Sequence, residues 1–192
     1  LPQISETERQ ALEAGDVWLD GDIFAGKPNF RSMLEKPYGV LTAEEQAFIA
    51  GPLVELCRMF DHYEVGQTRR VPQEVDDFIK SQGFMGLIIP KQYGGREFSR
   101  LAVSTILHIL TPYSFTVGVR VMIPNSLGAG ELIIHYGTDA QKKFYLPKLA
   151  SGEFVPCFGL TEKEAGSDAA SMKSEGVVFR DTDGQVKIRM NF

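Results

Sequence analysis

The sequence predicts an α+β fold, an all-α helical bundle followed by the start of a β domain. Three observations lead there. Between residues 42 and 150, apolar side chains recur at helical spacing behind Thr and Ser residues suited to cap helices. After Gly152 the period drops to two, with Val186, Ile188 and Met190 alternating with polar neighbours. Asp183-Gly184, between that run and Val177–Phe179, is a short-range hairpin signal. The expected division is an N-terminal arm over 1–41, a helical domain over 42–152 and the beginning of a β domain over 153–192.

Taken in order, the arm carries little pattern. Ser5 with Glu8 suits a capping box for a short helix over Glu6–Ala14, and Gly15, Gly21, Gly26, Pro28 and Pro37 then forbid long elements. Trp18, Phe24 and Phe30 read as anchors pinning an extended arm to the following domain, with a ligand box as the alternative. Thr42-Ala43-Glu44-Glu45 is a second capping box. Ile49, Leu53, Leu56 and Phe60 behind it predict a helix over 43–63, bent at Gly51-Pro52. Val71-Pro72 starts the next helix and Gly83 ends it. Leu87–Pro90 then leads into a turn at Tyr93-Gly94-Gly95.

Ser99 suits the cap of a helix over Arg100–Leu110 that is apolar almost all round, so His108 within it reads as a hydrogen-bonded core residue. Phe115–Ile123 and Ser126–Tyr136 are two more helical stretches, parted at Pro124, and Gly137 stops the second. Thr138-Asp139-Ala140-Gln141 is a third capping box, opening a short basic helix that runs to Pro147. Phe154–Leu160 then suits a strand. The final run reads as a half-buried strand, and a sheet with so few strands and an open edge implies a piece of a longer polypeptide.

Composition narrows the function classes. The 192 residues are 43% hydrophobic and 23% charged, as in an ordinary globular protein. A net charge of −5 without a Lys/Arg cluster argues against nucleic acid. Cys57 and Cys157 stand far apart with no metal-ligand spacing, and read as reduced thiols of a cytosol-like compartment. No apolar run reaches the ~18 residues of a membrane span, and the N-terminus lacks a signal peptide's form.

The most informative stretch is Cys157 to Asp168. An apolar run breaks into a loop bearing Thr161, the carboxylates Glu162, Glu164 and Asp168, and an Ala165-Gly166-Ser167 turn. Glycine there admits a ligand close to the backbone, and the serine brings a hydroxyl and an N–H to the same place. The three acids, with no His or Cys among them, read as solvated or capping groups in preference to a metal site or a base. Gly128-Ala129-Gly130 lacks the rest of a dinucleotide fingerprint and reads as helix-packing glycine. Val117, Gly118, Val119, Val121, Met122 and Ile123 fit either an acyl tunnel or plain core, with Arg120 among them unexplained. His62 and His135 read as surface or capping residues.

Strand, Thr161, acidic loop and Gly166-Ser167-Asp168 together resemble the flavin-contacting signature of the acyl-CoA dehydrogenases. Tyr136–Leu149 resembles the family's tyrosine-glycine-threonine helix before that loop, and Gly83–Gly95 its early Gly-rich turn, so the resemblance covers roughly 42–192. The arm and Pro124–Gly128 resemble the larger bacterial long-chain branch.

The resemblance implies a β-barrel or β-sandwich middle domain, an FAD cofactor and a fatty acyl-CoA substrate dehydrogenated to a trans-2-enoyl-CoA. It also implies an electron-transfer flavoprotein as acceptor, a homo-oligomer (dimer or tetramer), and a cytoplasmic site with peripheral contact at the inner membrane as a variant. By the same resemblance Phe158 and Leu160 flank the isoalloxazine and Thr161 bonds its pyrimidine end. Gly166 and Ser167 meet the diphosphate, Ser167 also lies near acyl-CoA, and Val119 and Ile123 line the acyl tunnel.

Lys163 and Arg96 depart from the family pattern. The second flavin-contacting segment and the catalytic glutamate are expected beyond Phe192, leaving this stretch inactive alone. Alternatives on the same fold are an acyl-CoA oxidase, a flavin monooxygenase or a non-catalytic scaffold.

Overall fold

The computed structural model describes residues 19–126, 128–157, 159–163, 165–168 and 171–191. The Ser5 helix, Trp18 and Phe158 lie outside them. The chain divides into two units, Tyr38–Phe158 and a second made of Leu1–Pro37 with Gly159–Phe192.

In the second unit, α1 (Leu19–Phe24) and α2 (Phe30–Leu34) are short helices where an extended arm was expected. Asn29 starts α2 by accepting the Ser32 N–H at 3.0 Å. Phe24 is 92% exposed and Phe30 67%, so neither is an anchor. Short helices between breakers keep their aromatics in solvent when no apolar partner faces them.

The helical unit opens at Thr42, whose Oγ1 accepts the Glu45 N–H while Glu45 Oε2 accepts the Thr42 N–H (3.2 and 2.8 Å). Behind this box run α3 (Ala43–Phe48), a π segment (Ile49–Leu53) and α4 (Val54–Arg58). The wide π turn falls at Gly51-Pro52, where a bend was expected, because proline removes an N–H from the ladder. The helix stops at Arg58, short of residue 63. Asp61 caps a separate α5 (His62–Thr68), its Oδ1 accepting the N–H groups of Tyr63 and Glu64.

Pro72 caps α6 (Gln73–Ser81), and the chain then turns through the buried Leu87 and Ile89 into a short 3-10 turn over Lys91–Tyr93. Gly95 lies so close to Ile89 that a Cβ would sit 2.0 Å from its carbonyl oxygen. Arg96 donates to the Gln82 carbonyl at the end of α6 (2.6 Å) and lies 5.1 Å over the Phe48 ring, which gives that departure from the family pattern a structural role.

Ser99 caps α7 (Arg100–Tyr113), three residues longer than expected. Only one face, Ala102, Val103, Ile106 and Leu110, is buried, and His108 is exposed, correcting the core reading. Spacings of three and four residues set the buried stripe, and His108 falls off it. α8 (Phe115–Asn125) includes Pro124, so the break before α9 (Ala129–Tyr136) comes after Asn125. By length and average composition Phe115–Tyr136 is apolar enough to span a membrane, but Arg120 and Glu131 interrupt it, in keeping with the absence of an unbroken apolar run of that length. It is divided between two helices, and Arg120 and Glu131 within it are ion-paired.

The Thr138–Gln141 capping box opens α10 (Asp139–Ser151), which passes through Pro147 to Gly152 instead of ending there. Leu146, Leu149 and Ala150 are buried on either side of the proline. Their burial outweighs the ~3 kcal/mol that proline costs a helix interior.

The core joins these helices through Phe48, Leu53, Leu56, Val75, Ile79, Phe84, Ile106, Leu110, Val117 and Val121. Asn125, 2% exposed, stitches it together by donating to the Phe84 and Val121 carbonyls (2.6 and 2.8 Å) and accepting the Ile88 N–H (3.3 Å).

β1 (Glu175–Arg180) pairs antiparallel with β2 (Val186–Asn191), Val178 opposite Ile188, around the expected turn. Alternation places Val178, Val186, Ile188 and Met190 on one face. That face is uncovered, at 56–65% exposure, where a half-buried strand was expected. On the other face Arg189 lies 5.1 Å over the Phe179 ring.

Candidate functional site

The expected strand over 154–160 does not form among its described residues. Phe154, Val155 and Leu160 are 38–51% exposed, and no partner strand is bonded to them. An apolar run becomes a strand only when its backbone finds a neighbour.

Between Leu160 and Ser174 the described residues form no α-helix or strand, and polar groups tie their backbone together. The Glu162 N–H donates to the Ala165 carbonyl (3.1 Å). The Glu162 carboxylate accepts the N–H groups of Lys173 (Oε2, 2.9 Å) and Ser174 (Oε1, 3.2 Å). Bonds from Ser174 and Lys173 hold its carboxyl below the usual carboxylate range. Farther along, Ser171 donates its hydroxyl to Asp168 Oδ2 (2.5 Å) and its N–H to the Asp168 carbonyl (3.1 Å). The Glu162 carboxylate thus organises the loop's own backbone, one of the two roles, solvated or capping, that the sequence assigned to these acids.

Thr161, Gly166 and Ser167 are exposed on this loop, and Leu160 is 41% exposed. Gly166 has no left-handed backbone, and a Cβ there would meet nothing within 4 Å. Neither its own conformation nor a neighbour therefore requires glycine. An open backbone beside an exposed hydroxyl and amide fits a phosphate-bearing group approaching from outside. Lys163, the other departure from the family pattern, adds an exposed cation to the same loop.

In the helical unit, Val119 and Ile123 line a recess of ≈ 230 Å³ with Val71, Thr116, Arg120, Pro124, Val155 and Pro156. Val117 and Val121, from the same apolar wall, turn into the core instead, and Met122 is 40% exposed. Arg120 is explained by a residue 44 positions away, donating from Nε and Nη2 to Asp76 Oδ1 (2.8 and 2.7 Å). Lys80 takes Asp76 Oδ2 at 2.6 Å. Burial would raise the Asp76 carboxyl, but Lys80 and Arg120 outweigh that and hold it low. Nothing local in the sequence signals this pair. His62 and His135 are exposed, the latter 3.7 Å from Glu131.

Residues 54–153, more than half of the chain, match the family described as Acyl-CoA dehydrogenase, N-terminal domain. The chain belongs to the acyl-CoA dehydrogenase family. An acyl-CoA dehydrogenase of Bacillus subtilis is 30% identical over 130 residues, covering 64% of this chain and 34% of the relative. The very long-chain specific mitochondrial enzyme of Bos taurus is 34% identical over 146 residues, 73% of this chain and 22% of the relative. The chain thus spans about a third or less of these relatives.

Among solved structures, the electron transferring flavoprotein of Acidaminococcus fermentans superposes with TM-score 0.67 at 27% identity, over 81% of this chain and 40% of that one. A glutaryl-coenzyme A dehydrogenase with glutaryl-CoA gives 0.61 at 28%, over 72% and 36%. An acyl-CoA dehydrogenase from Bacillus anthracis complexed with FAD gives 0.54 over 78% and 24%; at 22% identity it speaks to fold alone.

Proposed function

We propose that this chain is the N-terminal part of an FAD-dependent dehydrogenase that converts a fatty acyl-CoA to its trans-2-enoyl-CoA, of the larger bacterial long-chain branch. The observation that carries the reading is the loop on which Thr161, Gly166 and Ser167 stand exposed while Glu162 ties its ends. Bound FAD supplies the two-electron acceptor such a reaction needs. Thr161 offers a hydroxyl and an amide to the flavin's pyrimidine edge, where a fixed donor favours the charge that develops on reduction. Gly166 admits the diphosphate to the backbone, and Ser167 donates to it and to the acyl-CoA. Leu160, with Phe158, covers the ring. Val119 and Ile123 hold the acyl chain by apolar contact.

None of the described acids lines the recess that Val119 and Ile123 share. Removal of the α proton therefore falls to a carboxylate outside this stretch. Electrons pass on to an electron-transfer flavoprotein, and the whole protein works as a homo-oligomer in the cytoplasm.

The test is anaerobic addition of a long-chain acyl-CoA to the full-length protein. It is expected to be yellow, to bleach on mixing, and to pass electrons to an artificial acceptor. A folded, colourless full-length protein overturns the reading. Oxygen consumption in step with substrate would move it to an oxidase.

A further inference from the structure

We infer that Glu162 is a positioning residue for the cofactor loop: its carboxylate clamps the amides of Lys173 and Ser174, and so fixes how Thr161, Gly166 and Ser167 face a bound flavin. The inference rests on the flavin reading above. Its basis is geometric.

Both carboxylate oxygens are engaged, Oε2 with Lys173 and Oε1 with Ser174. The two donors stand 11 and 12 residues along the chain and immediately before β1. Strand pairing with β2 holds that end. Glu162 itself lies next to Thr161, so the clamp ties the residue proposed for the flavin ring to a backbone fixed by the hairpin. The Glu162 N–H bond to the Ala165 carbonyl closes an inner turn directly before Gly166. Thr161 and Gly166, two of the residues proposed to touch the cofactor, are thus each one residue from a bond that Glu162 makes.

The physical effect is to order the loop before the ligand arrives. Without the clamp, a loop of this length pays its closure entropy when the cofactor binds, which weakens binding without changing any contact. Two amides on one carboxylate are charge-assisted and set direction as well as distance, so a neutral or shorter side chain cannot replace them. A glutamine keeps the shape but turns one acceptor into a donor facing an N–H.

The experiment uses full-length protein stripped of flavin and titrated with FAD, comparing wild type with Glu162→Gln and Glu162→Asp. Amide exchange at Lys173 and Ser174 is followed in parallel. Wild type is expected to protect both amides. Glu162→Gln is expected to lose that protection and to weaken FAD binding by about tenfold, roughly the effect of one charged hydrogen bond. Thermal stability of the flavin-free protein should stay unchanged, because the clamp lies outside the helical core. Glu162→Asp should fall between the two.

If Glu162→Gln loses amide protection yet binds FAD like wild type, the inference is overturned while the flavin reading stands. If Glu162→Asp equals wild type in both readouts, charge near the loop suffices and the clamp is overturned. A wild-type protein that never binds FAD overturns the flavin reading, and the inference with it.

Discussion

Glu45 and Glu162 play the same part in two different regions. Each carboxylate accepts two backbone amides, Thr42 and Ser99 for Glu45, Lys173 and Ser174 for Glu162. Glu45 is 3% exposed and joins the starts of α3 and α7, whereas Glu162 stands half-buried in a loop whose described residues join neither core cluster. The helical unit holds its shape mainly by apolar burial and uses the carboxylate to satisfy amides that burial would orphan. The loop has little apolar cover, so its carboxylate sets the shape. One device therefore satisfies buried amides in one place and ties an exposed loop in the other.

The largest effect that can break this contrast is in the core. Phe84 is fully buried, with its ring 4.7 Å from that of Phe48. Phe84→Ala should cost about 3–5 kcal/mol in urea unfolding, and a cost under ~1 kcal/mol would deny the helical unit its dependence on burial.

Glu45 sharpens the comparison through pH. Burial raises its carboxyl, but the amides of Ser99 and Thr42 outweigh that and bring it from 4.5 to about 2. A folded value below the unfolded one means stability is fully present above about pH 4.5 and is lost as pH falls towards 2. The whole contribution is on the order of 3 kcal/mol. Glu45→Gln should flatten that acid limb, and an unaltered limb would contradict the assignment. Asn125→Ala comes next, at about 1–3 kcal/mol, because it strands the buried Phe84 and Val121 carbonyls. The smallest effect belongs to the uncovered hairpin face. Ile188→Ala should change the stability of this chain by no more than about 0.5 kcal/mol, and a larger loss would mean that the face is packed in solution.

What the sequence made legible was local. Thr42, Ser99 and Thr138 each cap the helix they announce, because a cap needs only the next three residues. The hairpin at Asp183-Gly184 was equally plain. Asp61, followed three residues on by Glu64, carried the signal for α5, but the apolar run from Ile49 to Phe60 masked it. Pro147 misled because a proline rule knows nothing of the burial around it. The described residues of the expected strand over 154–160 form none, for want of a partner. Arg120 and Asp76, 44 residues apart, meet only because the fold brings their side chains together. For the candidate site, residue types alone pointed to Thr161, Gly166 and Ser167, whereas the bonds from Lys173 and Ser174 to Glu162 join positions too far apart to pair on paper.

The contact at Gly95 has a consequence for variation. Its neighbour Gly94 has φ +84 and open space around it, so asparagine is a tolerable replacement there. At Gly95 any side chain collides with the Ile89 backbone, which cannot swing aside like a flexible side chain. Saturation mutagenesis of this dipeptide should return a short roster of survivors at the first position and a blank column at the second.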